Sequence, residues 1–79
     1  MNQEQTKALK LSGPHQEVLK LVANGYTNYE IGKARHIELS TVNKYLKEIR
    51  WCLDIQERVS LAIFAIRSGL VRIEELELH

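Results

Sequence analysis

Cysteine, proline, tryptophan, methionine and phenylalanine each occur once in these 79 residues. Cys52 alone has no partner for an internal disulfide, which removes the small disulfide-stapled scaffolds from consideration. His15, His36 and His79 stand at no metal-ligand spacing from it, so no metal site is expected, and its place at the border of an apolar stripe predicts a buried thiol. No apolar run approaches the roughly 20 residues that span a bilayer. Met1 to Lys10 is polar and lacks the oily centre of a signal peptide. There is no Ser–His–acid grouping and no Gly-rich phosphate loop; Gly13, Gly25, Gly32 and Gly69 read as scattered helix punctuation. The sequence therefore predicts neither an enzyme nor a cofactor nor a membrane protein, and its expected compartment is the cytoplasm.

An excess of charge of one sign is also missing, since the formal net charge is only +1. Its distribution is uneven, however. Between Tyr26 and Leu53 the cations Lys33, Arg35, Lys44, Lys47 and Arg50 outnumber the carboxylates Glu30, Glu38 and Glu48. Glu74, Glu75 and Glu77 near the C-terminus hide this local excess in the total. A basic face of this kind attracts phosphate in a salt-sensitive way. Hydrophobic residues make up 44% of the chain, an ordinary share for a folded domain. A single domain this small is marginal unless its helices pack well or it pairs with a second copy.

What is present is helical patterning. Residues 1–10 read as a flexible lead without clear structure. Ser12 or Gly13 can cap a helix whose first turn accommodates Pro14, because the N–H that proline lacks would be unpaired there. Val18, Leu19, Leu21 and Val22 form the apolar stripe of that helix, placed at about 14–24, and Gly25 suits a left-handed stop. Thr27 and Glu30 have the spacing of a capping box, which opens a short helix to about Arg35. His36-Ile37-Glu38 is the turn, with Ile37 as its buried plug. A longer helix covers about 39–53. At about 100° per residue, its Val42, Leu46, Ile49 and Leu53 share one narrow stripe, while Ser40, Asn43, Lys44 and Lys47 share the opposite side. A last helix begins near Gln56–Arg58 and ends at Ser68, with Gly69 as its stop. Residues 72–79 read as an acidic tail without clear structure. A capped helix, a tight turn and a longer helix with one oily and one polar-basic face are the layout of a helix-turn-helix reader of DNA.

These residues carry a resemblance. Leu11-Ser12, Glu17-Val18-Leu19, Leu21-Val22-Ala23, Gly25, Thr27-Asn28 and Glu30-Ile31 follow the pattern of the LuxR-type, or NarL/FixJ and GerE-like, helix-turn-helix family. Ile37, Thr41-Val42, Ile49, Leu53, Ile55, Arg58 and Gly69-Leu70-Val71 continue it in register. The similarity covers Leu11 to Val71, and residues 11–71 are taken as the domain. The resemblance implies an all-α, four-helix domain whose second and third helices form the reader. It also implies a bacterial transcription regulator that commonly stands behind a receiver or ligand-binding domain. The chain departs from the family at five places. Pro14-His15 replaces the usual Arg-Glu, which loses the capping box of the helix at 14–24. Arg35 stands for a buried Leu, Glu38 for a capping Ser or Thr, Tyr45 for a phosphate-touching His, and Cys52 for a Lys.

Asn43, Lys44 and Lys47 are the candidates for base contacts, because their family counterparts face the major groove and the helical wheel puts them on the polar side. Lysine donates to guanine O6 and N7, and asparagine can bridge adenine N6 and N7. Val42 lies inside the apolar stripe and reads as core. Thr27, Asn28, Lys33, Ser40, Thr41 and Tyr45 are the candidates for phosphate contacts. The segment Val59 to Ile66 is apolar nearly all round, so one of its faces needs a cover. Val59, Ala62, Ile63 and Ile66, together with Trp51, are the expected homodimer interface; the alternatives are burial of that helix's outer face by the terminal segments and packing of Trp51 on the N-terminal lead. The expected function is a sequence-specific regulator that binds double-stranded DNA as a homodimer. The alternative is an anti-activator that pairs with another transcription regulator and binds DNA weakly or not at all.

Overall fold

A computed structural model describes residues Asn2 to Glu77. The chain runs through five helices: α1 (Gln3–Leu9), α2 (Gly13–Ala23), α3 (Asn28–Arg35), α4 (Leu39–Leu53) and α5 (Arg58–Arg67). A short 3₁₀ turn follows at Ile73–Glu75, and the described residues contain no strand. The four expected helices are α2 to α5, each within about two residues of its expected bounds. α2 lies against α5 and α4, α3 lies against α4, and α1 lies against α5.

Local chemistry sets the boundaries. Ser12 caps α2 by accepting from the His15 N–H, and Pro14 falls in the first turn. The reciprocal half of a capping box is missing, as the Pro14-His15 departure implies; the His15 ring turns back onto the Ser12 hydroxyl instead. α2 stops at Gly25, whose φ of 86° is a left-handed conformation that costs glycine nothing. Thr27 and Glu30 close a full capping box on α3: the Glu30 N–H donates to Thr27 Oγ1 at 3.2 Å and the Thr27 N–H donates to Glu30 Oε1 at 2.9 Å. Glu38 makes no side-chain cap on α4. The start of α4 and the turn before it are therefore held by packing and backbone bonds rather than by a side-chain cap.

That packing is the core. Val42, Leu46, Ile49 and Leu53 of α4 are each 2% exposed or less. They meet Val18, Leu19 and Val22 of α2, Ile31 of α3, and Leu61, Phe64 and Ala65 of α5 in one buried cluster. A fully buried side chain of this size contributes roughly 1.5–3 kcal/mol relative to leaving it in water, which is what holds short helices that would be unstable alone. Ile37 in the turn is half-buried against the same cluster.

Four expectations need correction. Residues 1–10 were expected to lack structure, yet they carry α1. Asn2 and Gln5 make a capping box there, and Ala8 and the following Leu11 are buried in the core. The acidic tail was also expected to be unstructured, but it forms the 3₁₀ turn and packs Leu76 on the core. Leu78 and His79 lie outside the described residues. Cys52 was expected to be buried but is exposed. It lines a shallow, open cleft with Lys10, Leu11, Ser12, His15 and Glu48, and no large side chain closes over it. Gly32 was read as punctuation but is a buried interior residue of α3, required by a close approach of the following turn.

Candidate nucleic-acid interface

The buried stripe of α4 fixes what its other side presents. Asn43, Lys44 and Lys47 are all exposed. Ser40 is exposed at the start of the same helix and Thr41 is half-buried. α3 lies against α4 and contributes its own first residues. Thr27 is exposed while its hydroxyl caps the helix. Lys33 is exposed, and its ammonium stands 5.2 Å from the centre of the Tyr29 ring one turn earlier. A cation over a ring at this distance is attracted by the negative face of the π system, so the Lys33 charge is held near the start of α3.

The two helices of the reader are joined by a chain of hydrogen bonds. Arg58, the first residue of α5, donates from Nη2 to the Tyr26 carbonyl at 2.6 Å and from Nη1 to Asn28 Oδ1 at 2.7 Å. Asn28 then donates from Nδ2 to Asn43 Oδ1 at 3.0 Å. One guanidinium thus ties the loop before α3, the first residue of α3 and the polar face of α4. Burial, and then the nearby Arg50, hold Arg58 below its ordinary pKa, and arginine remains a cation at any physiological pH. Arg58 belongs to the family pattern in the sequence but no local signal marks it as part of the site. Its partners lie 30 and 32 positions away, and only the fold brings them together.

Tyr45 occupies a different setting from the other phosphate candidates. It is half-buried, and its ring lies 4.8 Å from the His15 ring at an interplanar angle of 54°. His15 Nε2 in turn stands 3.0 Å from Glu48 Oε1. This small cluster joins the first turn of α2 to the middle of α4. The bond to His15 also engages Glu48, the one carboxylate on the exposed side of α4 beside Lys44 and Lys47.

Trp51 is 86% exposed, so it does not pack on the N-terminal segment. It stands one turn beyond Lys47 and lines an open groove of about 780 Å³ with Lys44, Lys47, Glu48, Arg50 and Gln56. Arg50 is oriented by donating from Nε to the Gln56 carbonyl at 3.0 Å. The candidate dimer residues are on α5. Val59 is 71% and Ile63 48% exposed, and Ala62 and Ile66 are half-buried. Among the described residues no group of three His, Cys, Asp or Glu side chains could hold a metal ion. No helix among them is long and apolar enough to cross a membrane.

A convex helix with exposed amide and ammonium donors, braced from behind by a second helix, has the shape and chemistry to enter a groove lined by base-edge acceptors. The sequence pattern of the bacterial regulatory proteins of the luxR family matches residues 9–65. The chain is similar to the response regulator protein VraR of Staphylococcus aureus, Staphylococcus saprophyticus and Staphylococcus epidermidis. Each is 38% identical over 56 residues, which cover 71% of this chain and 27% of the relative. The match thus spans little more than a quarter of these relatives' own length. No solved structure gives a significant match.

Proposed function

Because this chain belongs to the luxR family of bacterial regulatory proteins, and so carries a helix-turn-helix DNA-binding domain, we propose that it is a sequence-specific transcription regulator acting on double-stranded DNA in the cytoplasm. α4 enters the major groove, and Asn43, Lys44 and Lys47 meet the base edges. The observation that carries this reading is the division of α4. Its apolar stripe is sealed in the core while these three side chains are exposed on the other side. Lys33 of α3, and Ser40 and Thr41 of α4, contact phosphates, as do the backbone N–H groups behind Thr27 and Asn28. Tyr45 reaches a phosphate only with its outer edge, since the ring is committed to His15. Trp51, in the same groove as Lys44 and Lys47, stands on the duplex side in this reading. Val59, Ala62, Ile63 and Ile66 of α5 form the homodimer contact, so that two copies read two half-sites.

The test is the Lys44→Ala, Lys47→Ala double variant against a duplex selected by the parent protein from a random library. Each lysine contact to a base edge is worth about 1–3 kcal/mol, so the double variant loses roughly 30-fold or more in affinity. Retention of the parent's affinity would remove these residues from the interface. If the parent instead binds no duplex and forms a stable complex with a related regulator, the exposed face of α5 serves that partner and the protein is an anti-activator.

A further inference from the structure

Arginine has five N–H groups and no acceptor. Wherever Arg58 meets an asparagine, the atom facing it is therefore the amide oxygen. Arg58 Nη1 lies 2.7 Å from the Asn28 side chain, so the carbonyl of that amide, Oδ1, is held against the guanidinium. The other end of the same amide, the Nδ2 group, then faces α4. It lies 3.0 Å from the Asn43 side chain. A donor facing Asn43 requires an acceptor in return, so the Asn43 carbonyl turns inward. The fixed polarity of one guanidinium is thus passed through two amides, each of which could otherwise sit either way round.

We infer that Arg58 and Asn28 set the base preference of Asn43 by locking it as a hydrogen-bond donor. This inference rests on the DNA-reading role proposed above for α4. With Oδ1 turned toward Asn28, the group of Asn43 that can face a base is its Nδ2 and the two hydrogens on it. Adenine is recognised by asparagine through one donor and one acceptor together, to N7 and from N6. That bidentate pairing needs Oδ1 and Nδ2 to face one base together, and the bond to Asn28 turns Oδ1 toward α3 instead. Guanine offers two neighbouring acceptors, O6 and N7, which match a group that only donates. Cytosine offers a donor at N4 and is the poorest match. Asn43 therefore selects guanine, against the adenine that its residue type alone implies. Asn28 and Arg58 are positioning residues here: neither touches the base whose identity they determine.

The experiment is selection of bound duplexes from a fully randomised double-stranded DNA library, followed by sequencing. It uses the whole chain and three variants. The parent enriches guanine at one position of its site, by about tenfold or more over cytosine. Asn43→Ala flattens the preference at that position and no other, which identifies the position read by Asn43. Asn28→Asp is the decisive variant. Aspartate keeps the bond to Arg58 as an ion pair but turns its second oxygen toward α4. Asn43 must then rotate to donate inward, and its carbonyl faces the base. The preference at the same position switches to adenine or cytosine, whatever the loss in overall affinity. If Asn28→Asp is poorly folded, Asn43→Asp tests the same logic from the other end. One carboxylate oxygen accepts from Asn28 while the other faces the base and selects a donor. Enrichment of adenine by the parent, or the same base chosen by the parent and by the well-folded aspartate variants, overturns the locked polarity and leaves the DNA-reading role intact. Failure of the parent to enrich any sequence overturns both.

Discussion

The hydrogen on the Cα of Gly32 stands where any side chain would collide with the turn of the reader. A Cβ at this position would lie 2.9 Å from the Ile37 carbonyl oxygen and 3.6 Å from Val42 Cγ2. The Ile37 N–H donates to the Gly32 carbonyl at 2.9 Å, so the turn is fastened to the glycine it crosses. The obstacle is backbone, which cannot swing aside as a side-chain tip would. Gly32→Ala gains up to about 1 kcal/mol of helix propensity and pays about 1–3 kcal/mol for overpacking. The net effect is destabilisation by about 1 kcal/mol, visible as a fall in Tm of about 4–8 °C for a domain of this size. Moving the turn also shifts α4 relative to α3, so affinity for DNA falls further than the lost stability accounts for. Thermal unfolding and a binding titration at a temperature where the variant is fully folded check the two parts separately. An unchanged Tm would mean that the turn has room to move.

At the scale of the element, α3 shows how one residue can serve two ends. Thr27 caps the helix and was also a candidate for a phosphate contact, and two substitutions separate the roles. Thr27→Ala removes the acceptor for the Glu30 N–H and costs about 1 kcal/mol of stability. Thr27→Asp restores an acceptor for the same N–H, and its charge suits a helix N-terminus, so stability returns to near the parent value. The same charge repels a phosphate, so affinity for duplex DNA stays low or falls further. Denaturant unfolding and a binding titration on both variants read the two properties. If Thr27→Asp binds as well as the parent, no phosphate lies at this helix end.

The elements also differ in how well the sequence announces them. α2, α4 and α5 were legible from stripes of large apolar residues at helical spacing, and α3, which buries only Ile31 and Gly32, from its Thr27–Glu30 capping box; Gly25 and Gly69, at φ of 86° and 80°, mark the stops after α2 and α5. α1 was not legible because its seven residues bury only Ala8, too little for a periodic signal. It forms by docking on α5, where Glu4 pairs with Arg67 at 3.3 Å, and docking is a property of the folded whole. The exposure of the candidate residues Asn43, Lys44 and Lys47 could be placed from the wheel of one helix. The links from Arg58 to Asn28 and on to Asn43 could not, because they join residues 30 and 15 positions apart across three helices. Cys52 was misplaced for a related reason. The wheel sets it beside the buried stripe, but burial there depends on what the rest of the chain puts opposite, and the segment from Lys10 to His15 leaves the cleft open.

For the whole molecule the open question is what covers α5. Leu61, Phe64 and Ala65 face the core while Val59 and Ile63 are left largely in water, so this ten-residue helix is apolar on two sides. In a two-fold dimer each exposed residue is buried twice, once on each copy. Covering a large aliphatic side chain is worth up to about 1.5–3 kcal/mol, so Val59 and Ile63 of two copies offset a large part of the entropy lost on association. Ile63→Asp would put a carboxylate on each copy near the axis, where the two repel one another. Because Ile63 is 48% exposed, the substitution costs the monomer less than one at a core position of α5. The expected result in sedimentation is a dimer for the parent and a monomer for the variant at the same concentration, with unchanged far-ultraviolet circular dichroism. On DNA the variant should bind a single half-site as the parent does, but lose the gain that the parent shows for two half-sites about one helical turn apart. A parent that sediments as a monomer at the concentrations where it occupies both half-sites would place the contact between copies elsewhere than on α5.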